Sequence, residues 1–331
     1  MKALVTGAAG RVGRRLTTRL RDAGVDVEAL VLPDDTAGQE WLTAQGVRCY
    51  VGTLGERQLL REACAGASYV VHLAAVMDWS SEADHTVFEQ NVRGTLNLVE
   101  AAAGSTELRR FFLASSDEVY PSLGAAYVPI DEAHPQRPYS AYGLSKQLAE
   151  SIVDYFGRAR RVPVTTARFA LVTEAREVLS PDGWLGRFLF ARPFLGMLRA
   201  TGREAAAAVL EAAGGYDPDV LVDAMDDAGQ PYTFHVVDVR DLVEGIWLQL
   251  TEEAAVGETF NLSGPAPFTY SEAADLLAEA TGRRVVRVRL PGVRIDVSHD
   301  ITKAQRMLGY APEIDIGRLI GTATRAGAAK E

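Results

Sequence analysis

Residues 139–146, YSAYGLSK, hold two tyrosines and a lysine in one short polar stretch. Lys146 follows Tyr142 by four positions, which on an α-helix puts both side chains on one face, a turn apart. A free phenol has a pKa of about 10, so acid–base work near neutrality requires preferential stabilisation of the phenolate by about 4 kcal/mol. A lysine ammonium is one source of that stabilisation, and a second positive charge in a water-poor site adds to it. Tyr142 would then take the proton of a hydroxyl group. The same spacing also arises by chance on exposed helices, so the pair gains meaning only if other elements bring reactants to it. Tyr139 is seven residues from Lys146 and reads as a packing or substrate contact.

A phosphate-binding turn is one such element. Residues 6–13, TGAAGRVG, place Gly7, Gly10 and Gly13 three apart, directly after the apolar run KALVT. Beyond them Val12, Leu16, Leu20 and Ala23 recur at helical intervals until Gly24 stops the pattern. In a strand–turn–helix context one glycine permits the tight turn, one lets the backbone approach a pyrophosphate, and one allows close helix–strand packing. The helix then presents free N–H groups and a partial positive charge to the anion. This predicts a dinucleotide cofactor. At the end of the second strand the chain reads Val31, Leu32, Pro33, Asp34, Asp35, with no basic side chain. Carboxylates there suit a ribose hydroxyl and repel a 2′-phosphate, which favours NAD over NADP.

The elements needed to position these residues are also visible. Apolar runs (KALVT, VEALVL, VRCYV, SYVVHLAA, RRFFLASS, VPVTTARFA) alternate with helical patterns, predicting an α/β fold with a Rossmann-type doubly wound parallel sheet. With 331 residues, the chain has room for a dinucleotide-binding domain over 1–172, to which 232–264 return, and a smaller substrate lobe from 173–231 and 265–331. Trp184, Phe188, Phe190 and Phe194 should line the cleft, form a subunit contact or fill the lobe's core. The acidic run over 202–229 reads as a solvated helical face. A net charge of −10 argues against a nucleic-acid surface, and no apolar run is long enough to span a membrane. Cys49 and Cys64 lack metal or disulfide spacing, the five histidines form no i, i+4 pair, and no metal site is predicted; His72 reads as structural. The N-terminal residues read as a buried strand and not as a signal segment, so a cytoplasmic protein with a small-molecule partner is expected.

Taken in order, TGAAGRVG, GTL at 52–54, VVHLAA at 70–75, NVRGTLNLVEAA at 91–102, SSDEVYP at 115–121, Tyr142-x-x-x-Lys146, FHVVDV at 234–239 and DITKAQRMLGY at 300–310 resemble the extended short-chain dehydrogenase/reductase, or NAD-dependent epimerase/dehydratase, family. The resemblance implies that Ser116 holds the reacting oxygen and that Lys146 also binds the nicotinamide ribose. It further implies cofactor contacts from Gly7, Ala9, Gly10, Arg11, Val12, Gly13, Asp34, Thr53, Leu54, Leu73, Ala74, Ala75, Asn91, Ser115, Tyr142 and Lys146. Thr53 stands where relatives carry an aspartate to the adenine, and its hydroxyl can still accept that bond. In relatives the helices around 82–104 and 140–158 pair across a two-fold axis, which implies a homodimer. Asp117 and Glu118 match the acid–base pair of members that eliminate water, although similar stretches occur in epimerases that do not. Against a nucleotide-sugar substrate, Leu171 replaces a diphosphate-binding asparagine and Pro231 an arginine, unless Arg187, Arg192, Arg199 or Arg294 compensates. The function expected is hydride transfer at a secondary alcohol or ketone carbon of a sugar or sugar-like molecule through Ser116, Tyr142 and Lys146. The alternatives are a nucleotide-sugar epimerase or 4,6-dehydratase with tightly held NAD and, more remotely, a non-catalytic dinucleotide-binding protein.

Overall fold

The computed structural model of the chain describes residues 1–121 and 124–328. Its centre is a seven-stranded, all-parallel sheet containing β1 (Lys2–Thr6), β2 (Asp26–Val31), β3 (Arg48–Val51), β4 (Tyr69–His72), β5 (Arg110–Ser116), β6 (Val164–Phe169) and an edge strand, Thr259–Leu262. From that edge strand the order runs β6, β5, β4, β1, β2, β3. The chain therefore leaves β1 in one direction through β2 and β3 and restarts on the other side with β4, opening a crevice at the carboxyl ends of β1 and β4. β4 and β5 are buried along their whole length, as parallel strands covered on both faces must be.

One face of the sheet is covered by Leu16 and Leu20 of helix Arg11–Asp22 together with Leu242, Ile246 and Leu250 of helix Val239–Thr251. The other is covered by Leu60, Leu98, Val153 and Phe156, from helices Arg57–Cys64, Gly94–Ala102 and Ala141–Arg160. A third core gathers Phe194, Leu210, Leu221, Tyr270, Leu277 and Leu319 around a parallel pair of strands, Leu221–Met225 and Val285–Arg289.

Two sequence expectations change here. Residues 265–331 do not belong wholly to the lobe: Ile301, Ala304, Leu308 and Tyr310 pack into the core of the main sheet. The acidic run is only partly a solvated helix. Helix Glu204–Ala212 gives way to the strand Leu221–Met225, where Asp223 is buried, accepts a hydrogen bond from Ser271 (2.8 Å) and faces Arg287 at 3.2 Å. Strand pairing with Val285–Arg289 and burial of four consecutive residues override the charge pattern.

A buried ion pair fixes the long helix Ala141–Arg160 on the sheet. Arg168 of β6 donates from Nε and one terminal nitrogen to the two Glu150 carboxylate oxygens, at 2.9 and 2.7 Å. Glu150 also accepts from Ser115 (2.6 Å) and Gln136 (2.7 Å), and Arg168 donates to the Tyr120 hydroxyl (2.7 Å) and the Glu132 carbonyl (3.1 Å). Glu150→Gln leaves a guanidinium buried without its counter-ion. A loss of about 3–5 kcal/mol is expected in chemical denaturation; a change below about 1 kcal/mol would show that the pair does not hold the helix.

Candidate active site

The site grows from the end of β5. Ser116 terminates the strand, and its hydroxyl accepts the Glu118 N–H (3.2 Å), capping the 3-10 turn Asp117–Val119. The long helix starts directly against that turn. Its N-cap, Ser140, accepts the Gly143 N–H at 2.9 Å and donates to Glu118 at 2.7 Å. A Cβ at Gly143 would lie 2.4 Å from the Glu118 carbonyl oxygen, so only glycine lets the first helical turn come this close. The contact sets Tyr142 within hydrogen-bonding influence of Ser116.

Lys146 lies one turn further on, buried, with Nζ donating to the Ala114 carbonyl (2.8 Å) and placed 5.6 Å from the Tyr142 ring centroid. Burial lowers its pKa to about 8, against the opposing pull of Glu150. Lys146 alone does not lower the Tyr142 pKa. Burial first, then the Glu118 and Asp117 carboxylates, push it well above that of a free phenol, and the Ser116 hydrogen bond only partly opposes them. In the protein by itself the phenol is held protonated.

Asp117 is pushed up to about 7 by burial and then by Glu118, against its hydrogen bond with Ser116. His299, which sequence inspection did not single out, places Nε2 3.7 Å from an Asp117 oxygen. Burial, and next the neighbouring His235, lower the His299 pKa to about 3, so it stands beside Asp117 as a neutral ring. His235 accepts the His299 backbone N–H (3.1 Å) through Nδ1 and faces the Gly264 carbonyl (3.1 Å) through Nε2, which assigns its proton to Nε2. His72 is structural, as expected: it bridges Thr6 (2.8 Å) and Thr95 (3.0 Å), and burial lowers its pKa to about 3.

A continuous cavity of about 600 Å³ runs from the glycine turn past these groups into the small lobe. Of the residues singled out from sequence, Gly7, Gly10, Arg11, Val12, Gly13, Leu73, Ala74, Ala75, Ser115, Ser116, Asp117, Glu118, Tyr142 and Lys146 line it. Ala9, Asp34, Thr53, Leu54 and Asn91 do not. Thr53 is spent within its own turn, donating to Glu56 (3.1 Å). Leu54 packs under Gly94 in the core. Asn91, in the π-helical turn Phe88–Arg93, clamps both backbone polar groups of Val76 (2.8 and 2.9 Å) and donates to Ser145 (3.0 Å). Asp34 is exposed, whereas Asp35 caps helix Thr36–Ala44 by accepting the Gly38 N–H (2.9 Å).

The glycine turn has the form a dinucleotide requires. Gly7 has φ +71°, and a Cβ on Gly13 would meet the Gly7 carbonyl at 2.1 Å. A Cβ on Gly10 would touch only the Gly7 carbonyl and otherwise fill open cavity, and no side chain caps the following helix. Its N–H groups thus remain for a pyrophosphate.

The substrate side carries groups hidden from sequence inspection. Trp79, in the loop after β4, donates to Glu118 (3.0 Å) and stands 5.9 Å from both the Tyr142 and Trp184 rings. Trp184 and Phe188 line the cavity, while Phe190 and Phe194 are buried in the lobe's core, so the aromatic run divides between the two roles. Arg187, Arg192, Arg199 and Arg294 are all absent from the cavity wall: Arg199 is tied to Glu211 and Tyr216, Arg294 to Asp296, and Arg187 lies over Trp184.

Known proteins share this family and fold. Residues 3–182 match the model of the NAD dependent epimerase/dehydratase family. The chain belongs to that family. It is 28% identical to a 4-hydroxy-2-methyl-3-oxo-4-farnesyl-3,4-dihydroquinoline-1-oxide ketoreductase of Stigmatella aurantiaca, over 99% of this chain and 97% of the relative. It is 25% identical to a UDP-glucose 4-epimerase of Streptococcus mutans, over 98% and 96%. A short-chain dehydrogenase/reductase superfamily protein from Agrobacterium tumefaciens, crystallised with bound NAD, superposes with a TM-score of 0.88 at 32% identity, covering 100% of this chain and 98% of the other.

The raised Asp117 pKa has a measurable consequence. A carboxyl whose folded pKa of about 7 exceeds its unfolded value of 3.8 stabilises the fold while protonated in both states and loses that contribution as pH rises to about 7. The thermal midpoint of the wild type relative to Asp117→Asn should therefore fall between about pH 4 and pH 7 and level off above. A difference independent of pH over that interval would contradict the assignment.

Proposed function

We propose that the protein transfers hydride between NAD and the carbinol or ketone carbon of a small molecule, with Ser116, Tyr142 and Lys146 as its catalytic residues. The observation that supports this most is their convergence on the wall of the same cavity that begins at Gly7, Gly10 and Gly13. Bound NAD would supply the hydride acceptor and a positive nicotinamide ring. Gly10, Arg11, Val12 and Gly13 would hold its pyrophosphate through the helix N–H groups, and Lys146 would hold the nicotinamide ribose. Ser116 positions the substrate oxygen, Tyr142 accepts its proton, and Lys146, anchored on the Ala114 carbonyl, keeps a positive charge against the phenol face. Trp79 packs against Tyr142, and the burial of Tyr142 and Lys146 strengthens each of these electrostatic effects. The ketoreductase relative from Stigmatella aurantiaca, similar along almost its whole length, favours net redox chemistry.

A sugar or sugar-like substrate is the sequence expectation, and the epimerase relative from Streptococcus mutans keeps nucleotide-sugar epimerisation or dehydration as the second reading. Asp117 supports the dehydration variant, since a carboxyl with a pKa near 7 can donate a proton to a departing hydroxyl. Glu118 supports it less, because Trp79 and Ser140 already occupy its oxygens. A cytoplasmic homodimer belongs to the same proposal: Leu96, Leu144, Leu148 and Tyr155 are exposed apolar groups on the two helices that pair in relatives.

Tyr142→Phe should reduce turnover about 10²–10⁴-fold while NAD affinity, measured by calorimetry, stays within a factor of a few. Full turnover in that variant would remove the acid–base role. Light scattering of the wild type should give twice the chain mass, and Leu144→Glu should shift it towards the monomer; a monomeric wild type would contradict the dimer.

A further inference from the structure

The half of the cavity beyond the catalytic groups is walled by Met197, Leu198, Phe234, Val293, Ile295 and Val297. The charged groups of the cavity as a whole are largely committed. Arg11 donates to the Val172 carbonyl (2.7 Å) and pairs with Glu177 (2.9 Å), Lys146 serves Ala114, and Asp296 pairs with Arg294 (2.7 Å). Thr201 spends its hydroxyl proton on the Met197 or Leu198 carbonyl, at 2.8 and 3.1 Å. Arg203 is half-buried in this cavity and makes no side-chain hydrogen bond or ion pair among the described residues, its charge being felt by the Tyr232 phenol. A sugar diphosphate carries two negative charges and a chain of hydroxyls, each of which needs a partner once water is removed. One guanidinium cannot balance both phosphate charges, and the Asp117 and Glu118 carboxyl groups that line the same cavity oppose a further anion. An apolar group needs no polar partners and is stabilised by the area it buries.

We propose that this half of the cavity selects a ketone or secondary alcohol bearing a large hydrocarbon substituent, chain-like or ring-bearing, with at most one anionic or acceptor group, which Arg203 would meet. This rests on the hydride-transfer reading above and names its substrate class.

The test uses the purified full chain with saturating NAD and follows reduced-cofactor formation with secondary alcohols from butan-2-ol to octan-2-ol, beside free sugars and UDP-glucose. Each added methylene should raise kcat/KM about fourfold, about two orders of magnitude across the series. UDP-glucose should give neither net reduction nor conversion. Met197→Asp should lower kcat/KM for octan-2-ol by a larger factor than for butan-2-ol; if that variant does not fold, the chain-length slope of the wild type decides by itself. A flat or falling slope, or turnover of sugars or UDP-glucose above that of octan-2-ol, overturns the substrate class and leaves hydride transfer standing. Absence of redox turnover with every alcohol and with the matching ketones and reduced cofactor overturns both.

Discussion

Helix Ala141–Arg160 can present Tyr142 and Lys146 to the crevice because Glu150, one turn beyond Lys146, is bound to Arg168 inside the protein. Taking a carboxylate and a guanidinium out of water costs several kcal/mol for each ion, and the pair is tolerated only when their remaining donors and acceptors are satisfied. Ser115, Gln136, Tyr120 and the Glu132 carbonyl do that here. Tyr120 in turn donates to Asn261 on the edge strand (2.8 Å). The network therefore joins β5, β6, the edge strand and the helix, and the register of the catalytic turn against Ser116 follows from it. Gly143 completes the fit by allowing backbone contact with Glu118.

The same burial sets the electrostatics. Lys146 and Tyr142 are buried and Asp117 is largely so, and each pKa moves towards its neutral form: the ammonium to about 8, the carboxyl to about 7, the phenol upward. This is the expected response of ionisable groups to a low dielectric. The phenol is consequently no base in the protein by itself. Lys146 faces its ring and is anchored to Ala114, and the two neighbouring carboxylates oppose ionisation. The proposed acid–base role therefore calls for a second positive charge close to the oxygen, which would couple Tyr142 to cofactor occupancy.

Much of this was legible in the sequence because it is local. Three glycines between a strand and a helix, and a lysine four residues after a tyrosine, encode their geometry in spacing alone. Ser116 at the end of an apolar run is of the same kind. His299, Arg203 and Trp79 reach the cavity from segments far apart in the chain, and nothing in their neighbours signals the destination. Resemblance implies cofactor contacts for Asn91 and Thr53, and only the fold shows that their polar atoms also hold backbone turns. The aromatic run 184–194 could not be divided between cavity and core without the tertiary packing, and the acidic run concealed a buried strand whose partner lies sixty-four residues later. The phenol's surroundings are legible only in part for a related reason: the Tyr–Lys spacing is visible, but Glu118 and Asp117 beside the ring are a product of the fold.

The coupling of the phenol to the cofactor is the claim on which the chemistry depends, and a tyrosinate difference spectrum reads it directly. The absorbance of wild type minus Tyr142→Phe, recorded at about pH 9 with and without NAD, isolates this phenol from the other tyrosines. No tyrosinate signal without NAD, and its appearance on saturation with NAD, is the predicted result. A signal already present in the free protein, or none even with NAD bound, would contradict the account.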